Sequence, residues 1–234
     1  MLALLKKELH SYFITPIGYA FIAIYLAANG VLFTVFTLKS GYSSTETYFT
    51  WSVIALILLV PILTMKSFSE ERKMKTDQLL LTSPVSLAAV VGAKLLGAYV
   101  VYAVAVLASS LNCIALGIYG HMNLGVLFGS YLSLLLIGLS CIAIGVFISA
   151  LTENQLVAAV ITMGLLLVII AIGMFNGQIE NDFLRSVLSW ISLLDRFSLF
   201  TYGMFDLSAL IYYFSIAGVF YFLTVRVFEK RRWE

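Results

Sequence analysis

Six apolar stretches set the limits on this chain. They lie at residues 17–38, 47–65, 95–118, 128–151, 156–175 and 207–227. Each approaches the roughly 20 apolar residues that an α-helix needs to cross a bilayer. In lipid every backbone N–H and C=O must find its partner inside the segment, so such stretches fold as spanning helices. The remainder of the chain agrees. Only 11% of its 234 residues are charged and 62% are hydrophobic, against about 25% charged residues in a water-soluble domain. Too few polar side chains remain to clothe a water-facing globule. The sequence therefore predicts an all-α polytopic membrane protein with six transmembrane helices, forming a single transmembrane domain over residues 1–234. The first stretch is too long for a signal peptide's apolar region and lacks a small-residue cleavage site, so it is read as a span. Pro61, inside the second, removes one backbone bond and is expected to kink that helix.

Six spans return both termini to one side. Lys6, Lys7, Lys66, Arg72, Lys73, Lys75, Lys94, Arg226, Lys230, Arg231 and Arg232 belong to that side, and only Lys39, Arg185 and Arg196 to the other. This excess of basic residues marks the first side as cytoplasmic. A multi-pass protein of the cell (inner, cytoplasmic) membrane with both termini in the cytosol is the expectation. Lys94 and Arg226 sit near cytosolic span ends and are read as snorkelling toward the headgroups.

Three polar segments carry pattern. In "MLALLKKELHSYF", Leu2, Leu5, Leu9 and Tyr12 or Phe13 recur at helical spacing, with Lys6, Lys7 and His10 elsewhere on the circumference. That is an N-terminal amphipathic helix suited to the inner membrane face, its basic residues toward anionic headgroups. In "SFSEERKMKTDQLLLTSP", residues 67–84, Ser67 and Glu70 are spaced as a capping box. Glu70 and Glu71 then favour the helix dipole, and Ser83, preceding Pro84, ends the helix. This predicts a charged cytosolic helix between the second and third spans, with Leu79, Leu80 and Leu81 as an apolar shoulder. Either it docks a cytosolic partner or it links two spans and solvates its charges. In the third segment Leu184, Val187, Leu188, Ile191 and Leu194 follow helical spacing, which predicts a short outer amphipathic helix before the sixth span, either lying at the outer interface or serving as a plain lid on the bundle.

Catalytic and metal-binding patterns are missing. His10 is expected inside and His121 outside, so one subunit cannot bring them to a shared metal. No HExxH, GxSxG or GxxxxGK[ST] occurs, so the chain holds no ATP in a P-loop of its own. The spans offer no mid-membrane carboxylate or histidine of the kind proton-coupled transporters use. Asn29 and Asn112 are the polar residues that enter spans. Each could line a pathway, though each more commonly makes an interhelical hydrogen bond. Cys113 and Cys141 lie in apolar runs and read as small core residues.

The segment "MKSFSEERKMKTDQLLLTSPVSLAAVVGAK" resembles the loop of ABC-2 type transporter permeases, nearest to the gliding-motility-associated permeases. The family's basic residue, acidic pair, Thr with a following acid, two leucines, Pro and Lys would be Lys66, Glu70 with Glu71, Thr76 with Asp77, Leu79 with Leu80, Pro84 and Lys94. "KKELHSYFITPIGY" is similar to the family's N-terminal elbow helix. "ENQ", Glu153, Asn154 and Gln155, is similar to its turn between spans four and five, and "DLSALIYYFSIAGVFYFLTVRVFEKRRW" to its last span. The chain departs from the family at Lys75, where a Gly is frequent, and at Gln78, where a Glu is frequent.

The resemblance implies a permease subunit of an ATP-binding cassette exporter, itself no enzyme. Two such subunits, a homodimer or a pair of paralogues, would stand over two copies of a separate ATPase that carries the ATP and magnesium. Partners would be that ATPase, the second permease and the lipid bilayer, with no nucleic acid. Residues 67–84 would form the coupling helix, with Ser69, Glu70, Glu71, Arg72, Lys73, Thr76 and Asp77 at the ATPase and Glu153, Asn154 and Gln155 as a second cytoplasmic contact. Two rival readings stay open: an ATP-independent secondary transporter or channel, and a non-transporting scaffold that passes ATPase motion to an outer partner.

Overall fold

The computed structural model describes residues 2–38, 46–76, 85–113, 124–178, 181–201, 203–204 and 206–233. Helices carry nearly all of them. In chain order they are α1 (Leu2–Ile14), α2 (Pro16–Phe33), α3 (Glu46–Thr64), α4 (Ser69–Lys73), α5 (Leu87–Ser109), α6 (Leu124–Leu151), α7 (Gln155–Phe175), α8 (Asp182–Ile191), α9 (Leu193–Thr201) and α10 (Leu207–Trp233). A π-helical turn, Thr34–Leu38, prolongs α2. Among the described residues six helices are long and apolar enough to cross a membrane, and they match the six stretches read from the sequence.

The third span departs from its expected start. It begins at Leu87 instead of residue 95, because Ser86 has extended backbone and its hydroxyl accepts from the Ala89 amide at 3.3 Å. The extra turns place Lys94 well inside the helix, where it is buried rather than snorkelling. Pro61 lies within α3.

α6 is the axis of the bundle. It packs against α3, α5, α7, α9 and α10, and it is the most buried of the spans. Its sequence explains this, since small residues recur along it. A Cβ at Gly138 would stand 2.1 Å from the ring of Tyr102, and one at Gly145 2.3 Å from the Thr64 hydroxyl. Only glycine lets α5 and α3 approach so closely. Several polar atoms in this interior are paired across helices. Tyr102 donates to the Leu134 carbonyl at 2.6 Å, and Ser140 donates to the Tyr213 carbonyl at 3.0 Å. Tyr213 in turn donates to the Leu193 carbonyl at 2.8 Å. α2, α7 and α10 flank this core with one face each and leave most of their surface exposed.

The outer segment is two helices, not one. The chain breaks at Ser192, whose backbone is extended (φ −65°, ψ 119°) and whose hydroxyl accepts from the Asp195 amide at 3.2 Å, starting α9. Asn181 caps α8 through Phe183 and Leu184. The burial is correspondingly redistributed. Leu193, Phe197 and Phe200 of α9 are buried, while Leu184 and Val187 of α8 remain exposed. The expected apolar face was continued past a break that only Ser192 signals.

Candidate functional site

The chain leaves α3 through a turn at Met65–Phe68 and enters α4, only five residues long. α4 is not started by the expected capping box. Phe68, not Ser67, occupies the cap position and gives no side-chain bond. Glu70 turns back to Lys66 (3.4 Å), a partly exposed pair one helical turn away. The free amides are met instead from another span. The Ser149 hydroxyl, near the end of α6, accepts from the amides of Phe68 (3.0 Å) and Ser69 (3.2 Å) and donates to the Met65 carbonyl (3.2 Å). The Ser69 hydroxyl also bonds the Met65 carbonyl. A cap supplied across helices satisfies the same orphan groups and ties α4 to α6.

α4 ends in a Schellman motif. The Thr76 amide reaches the Glu71 carbonyl at 2.9 Å and the Lys75 amide the Arg72 carbonyl at 3.1 Å. Closing that motif puts Lys75 at φ 56°, in the left-handed region that glycine favours. Asp77, the leucines at 79–81 and Pro84 lie outside the described residues.

Two charges of α4 point into the protein. Lys94, 5% exposed in its side chain, binds Glu71 at 2.8 Å and Glu8 of α1 at 3.2 Å. Its ammonium also stands 5.2 Å above the ring of Phe68, which packs on Phe228 of α10. One buried cation thus gathers α1, α4 and α5 and borders α10. A cavity of about 240 Å³ lies between α1 and α4 beside it, bordered by Glu8, Tyr12, Ser67 and Glu71. Arg72 points the other way inside the corner. It donates to the Leu151 carbonyl at 2.6 Å and pairs with Glu153 at 3.0 Å. Arg231 donates to the Ala150 carbonyl at 2.6 Å. Two guanidinium groups therefore cover the last carbonyls of α6, where the helix dipole favours positive charge. Asn154 caps α7 by accepting from the Leu156 amide at 3.0 Å.

The chain's two ends, the α3–α4 corner and the α6–α7 turn meet at this one end of the bundle. Of the sequence-expected site residues, the structure brings together Ser69, Glu70, Glu71, Arg72, Glu153 and Asn154, with Gln155 opening α7. Lys73 and Thr76 lie at the same corner but face outward, together with Met74 and Lys75. Asn29 and Asn112 stand elsewhere. Asn29 is fully buried and accepts from the Ser52 hydroxyl of α3 at 2.7 Å, while Asn112 is half-buried beyond the end of α5.

Glu8 was not singled out in the sequence. Its signal was its position one turn before Tyr12, on the helix face that docks. α1 does not simply rest on headgroups. Leu4, Leu9, Tyr12 and Phe13 join the core, Tyr12 reaches the Leu63 carbonyl (3.3 Å), and Lys6, Lys7 and His10 are left exposed.

A bundle of six helices long and apolar enough to cross a membrane, with a charged corner at one end, defines a polytopic membrane protein. Residues 15–228 match the family described as ABC-2 family transporter protein, and the chain belongs to that family. Among curated proteins none matches the chain.

Proposed function

We propose that this chain is the permease subunit of an ATP-driven exporter, worked by a separate ABC ATPase that docks on the α4 corner from the cytosol. Two permeases and two ATPases form the working unit. ATP and magnesium sit on the ATPase, since this chain carries no P-loop sequence.

The observation that carries this reading is the way α4 is held. An element of five residues is tied to α6 by Ser149, to the α6–α7 turn by Arg72, and to α1 and α5 by Glu71 and Lys94. A push on its outer side cannot be absorbed by local bending, because the ties end on α1, α5 and the end of α6. It moves the ends of α3, α5 and α6 together. The surface left for the ATPase is the outward rim, Lys73, Met74, Lys75 and Thr76. Glu71 and Arg72 are transmission groups, not docking groups. Glu71→Lys would set a second cation against buried Lys94 and harm the permease itself.

The experiment follows from that division. Lys73→Glu combined with Met74→Asp reverses one exposed charge and removes one exposed apolar contact. The ATPase should co-purify at least about tenfold less, the loss expected for interface anchors, while the permease's thermal unfolding midpoint stays unchanged. Full co-purification of this double variant would show that the rim is not the docking surface.

A further inference from the structure

At the opposite end of the bundle α7, α8 and α9 border an open polar cleft of about 620 Å³, lined by Asn176, Gly177, Arg185, Ser186, Ser189 and Asp195. Asn176 is 7% exposed. Its Nδ2 donates to Asp195 Oδ2 at 3.1 Å, but its buried Oδ1 has no hydrogen-bond partner. A buried acceptor left without a donor is costly, and native proteins rarely keep one. Arg185 is exposed, and among the described residues neither it nor Asp195 joins an ion pair. One cation and one anion thus line the same cleft without meeting each other. The Ser189 hydroxyl is already given to the Ser186 carbonyl at 2.7 Å, so it does not serve Asn176.

The complement of this lining is a ligand with a negative group for Arg185 and, at its other end, a positively charged N–H donor for Asp195 and the unpaired Oδ1 of Asn176. The surroundings narrow the source. α8 exposes Phe183, Leu184, Val187 and Trp190, an apolar and aromatic edge of the kind that lies at the membrane–water interface. We propose that this cleft binds the headgroup of an amine-bearing zwitterionic phospholipid. The phosphate lies against Arg185, and the primary ammonium against Asp195 and Asn176 Oδ1. This binding is independent of the ATPase and of the α4 corner.

Three headgroups separate the contributions. Ethanolamine offers N–H donors, choline carries the same charge without them, and glycerol carries no cation. The full chain, purified in detergent, is titrated with the dioctanoyl phosphatidyl forms of all three and with free O-phosphoethanolamine, and bound lipid is counted by native mass spectrometry. The ethanolamine lipid should bind about tenfold or more tighter than the other two, the span expected of a charge-assisted hydrogen bond. Arg185→Ala and Asp195→Asn should each weaken it about tenfold. Arg196→Gln, whose guanidinium stacks on Tyr212 at 4.2 Å, should not. Equal affinity for the three lipids, or an ethanolamine preference untouched by both variants, overturns the proposal. Free O-phosphoethanolamine binding as tightly as the lipid would reject the membrane source and leave a soluble ligand. If a variant does not fold, the headgroup order of the wild-type chain decides alone.

Discussion

Lys75 shows how one residue carries a constraint that its type conceals. The Schellman motif closing α4 requires a left-handed residue just past the helix, and Lys75 holds it at φ 56°. A residue with a Cβ pays about 1 kcal/mol for that conformation. Lys75→Gly should therefore raise stability by about 1 kcal/mol, read as a higher thermal midpoint, while Lys75→Val should lower it because β-branching worsens the clash. A lower midpoint for the glycine variant would show that the side chain has contacts outweighing the strain. Ser149 and Lys94 were hidden for a different cause. A serine in an apolar helix reads as a packing residue, and nothing near it in sequence says that its hydroxyl will cap a helix 80 positions away. Lys94 read as a snorkelling side chain because its two partners, Glu8 and Glu71, come from separate elements.

At the scale of elements, length and periodicity told most of what could be told. All six spans were legible, since 20 or so apolar residues in a row leave one physical solution. Boundaries followed the caps: Ser86 moved the third span's start, and Ser192 split the outer helix in two. Periodicity alone could not find that split, because α9 continues the apolar spacing after the break. The consequence is measurable. Leu193 is 1% exposed under α10, and Phe183 of α8 is 75% exposed. Leu193→Asp buries an unpaired carboxylate and should cost about 3 kcal/mol or more, seen as a lost or strongly lowered unfolding transition in detergent. Phe183→Asp should leave that transition nearly in place. Equal damage from both would mean that α8 is packed as tightly as α9.

Across the whole molecule the charge distribution is uneven in a way the sequence announced and the structure sharpened. The basic residues counted on one side gather into a corner where four ties converge on α4, and two acidic residues there, Glu8 and Glu71, are used inward. Glu71 and Arg72 looked like a docking surface because sequence shows charge but not direction. Turned inward, they join α4 to the bundle. We place transmission of ATPase motion in the Lys94 hub, with binding left to the exposed rim. Lys94→Met removes the cation shared by Glu8 and Glu71, and Lys94→Arg retains a positive charge between them. The deciding measurement reconstitutes each variant with the ATPase and follows thiol labelling of a cysteine at exposed Met204, at the far end of the bundle, with and without ATP and vanadate. The expected result is that ATPase co-purifies with all three proteins, that nucleotide changes the labelling rate in the wild type and in Lys94→Arg, and that this response is lost in Lys94→Met. A Lys94→Met protein that still answers nucleotide at Met204 as the wild type does would contradict transmission through the hub.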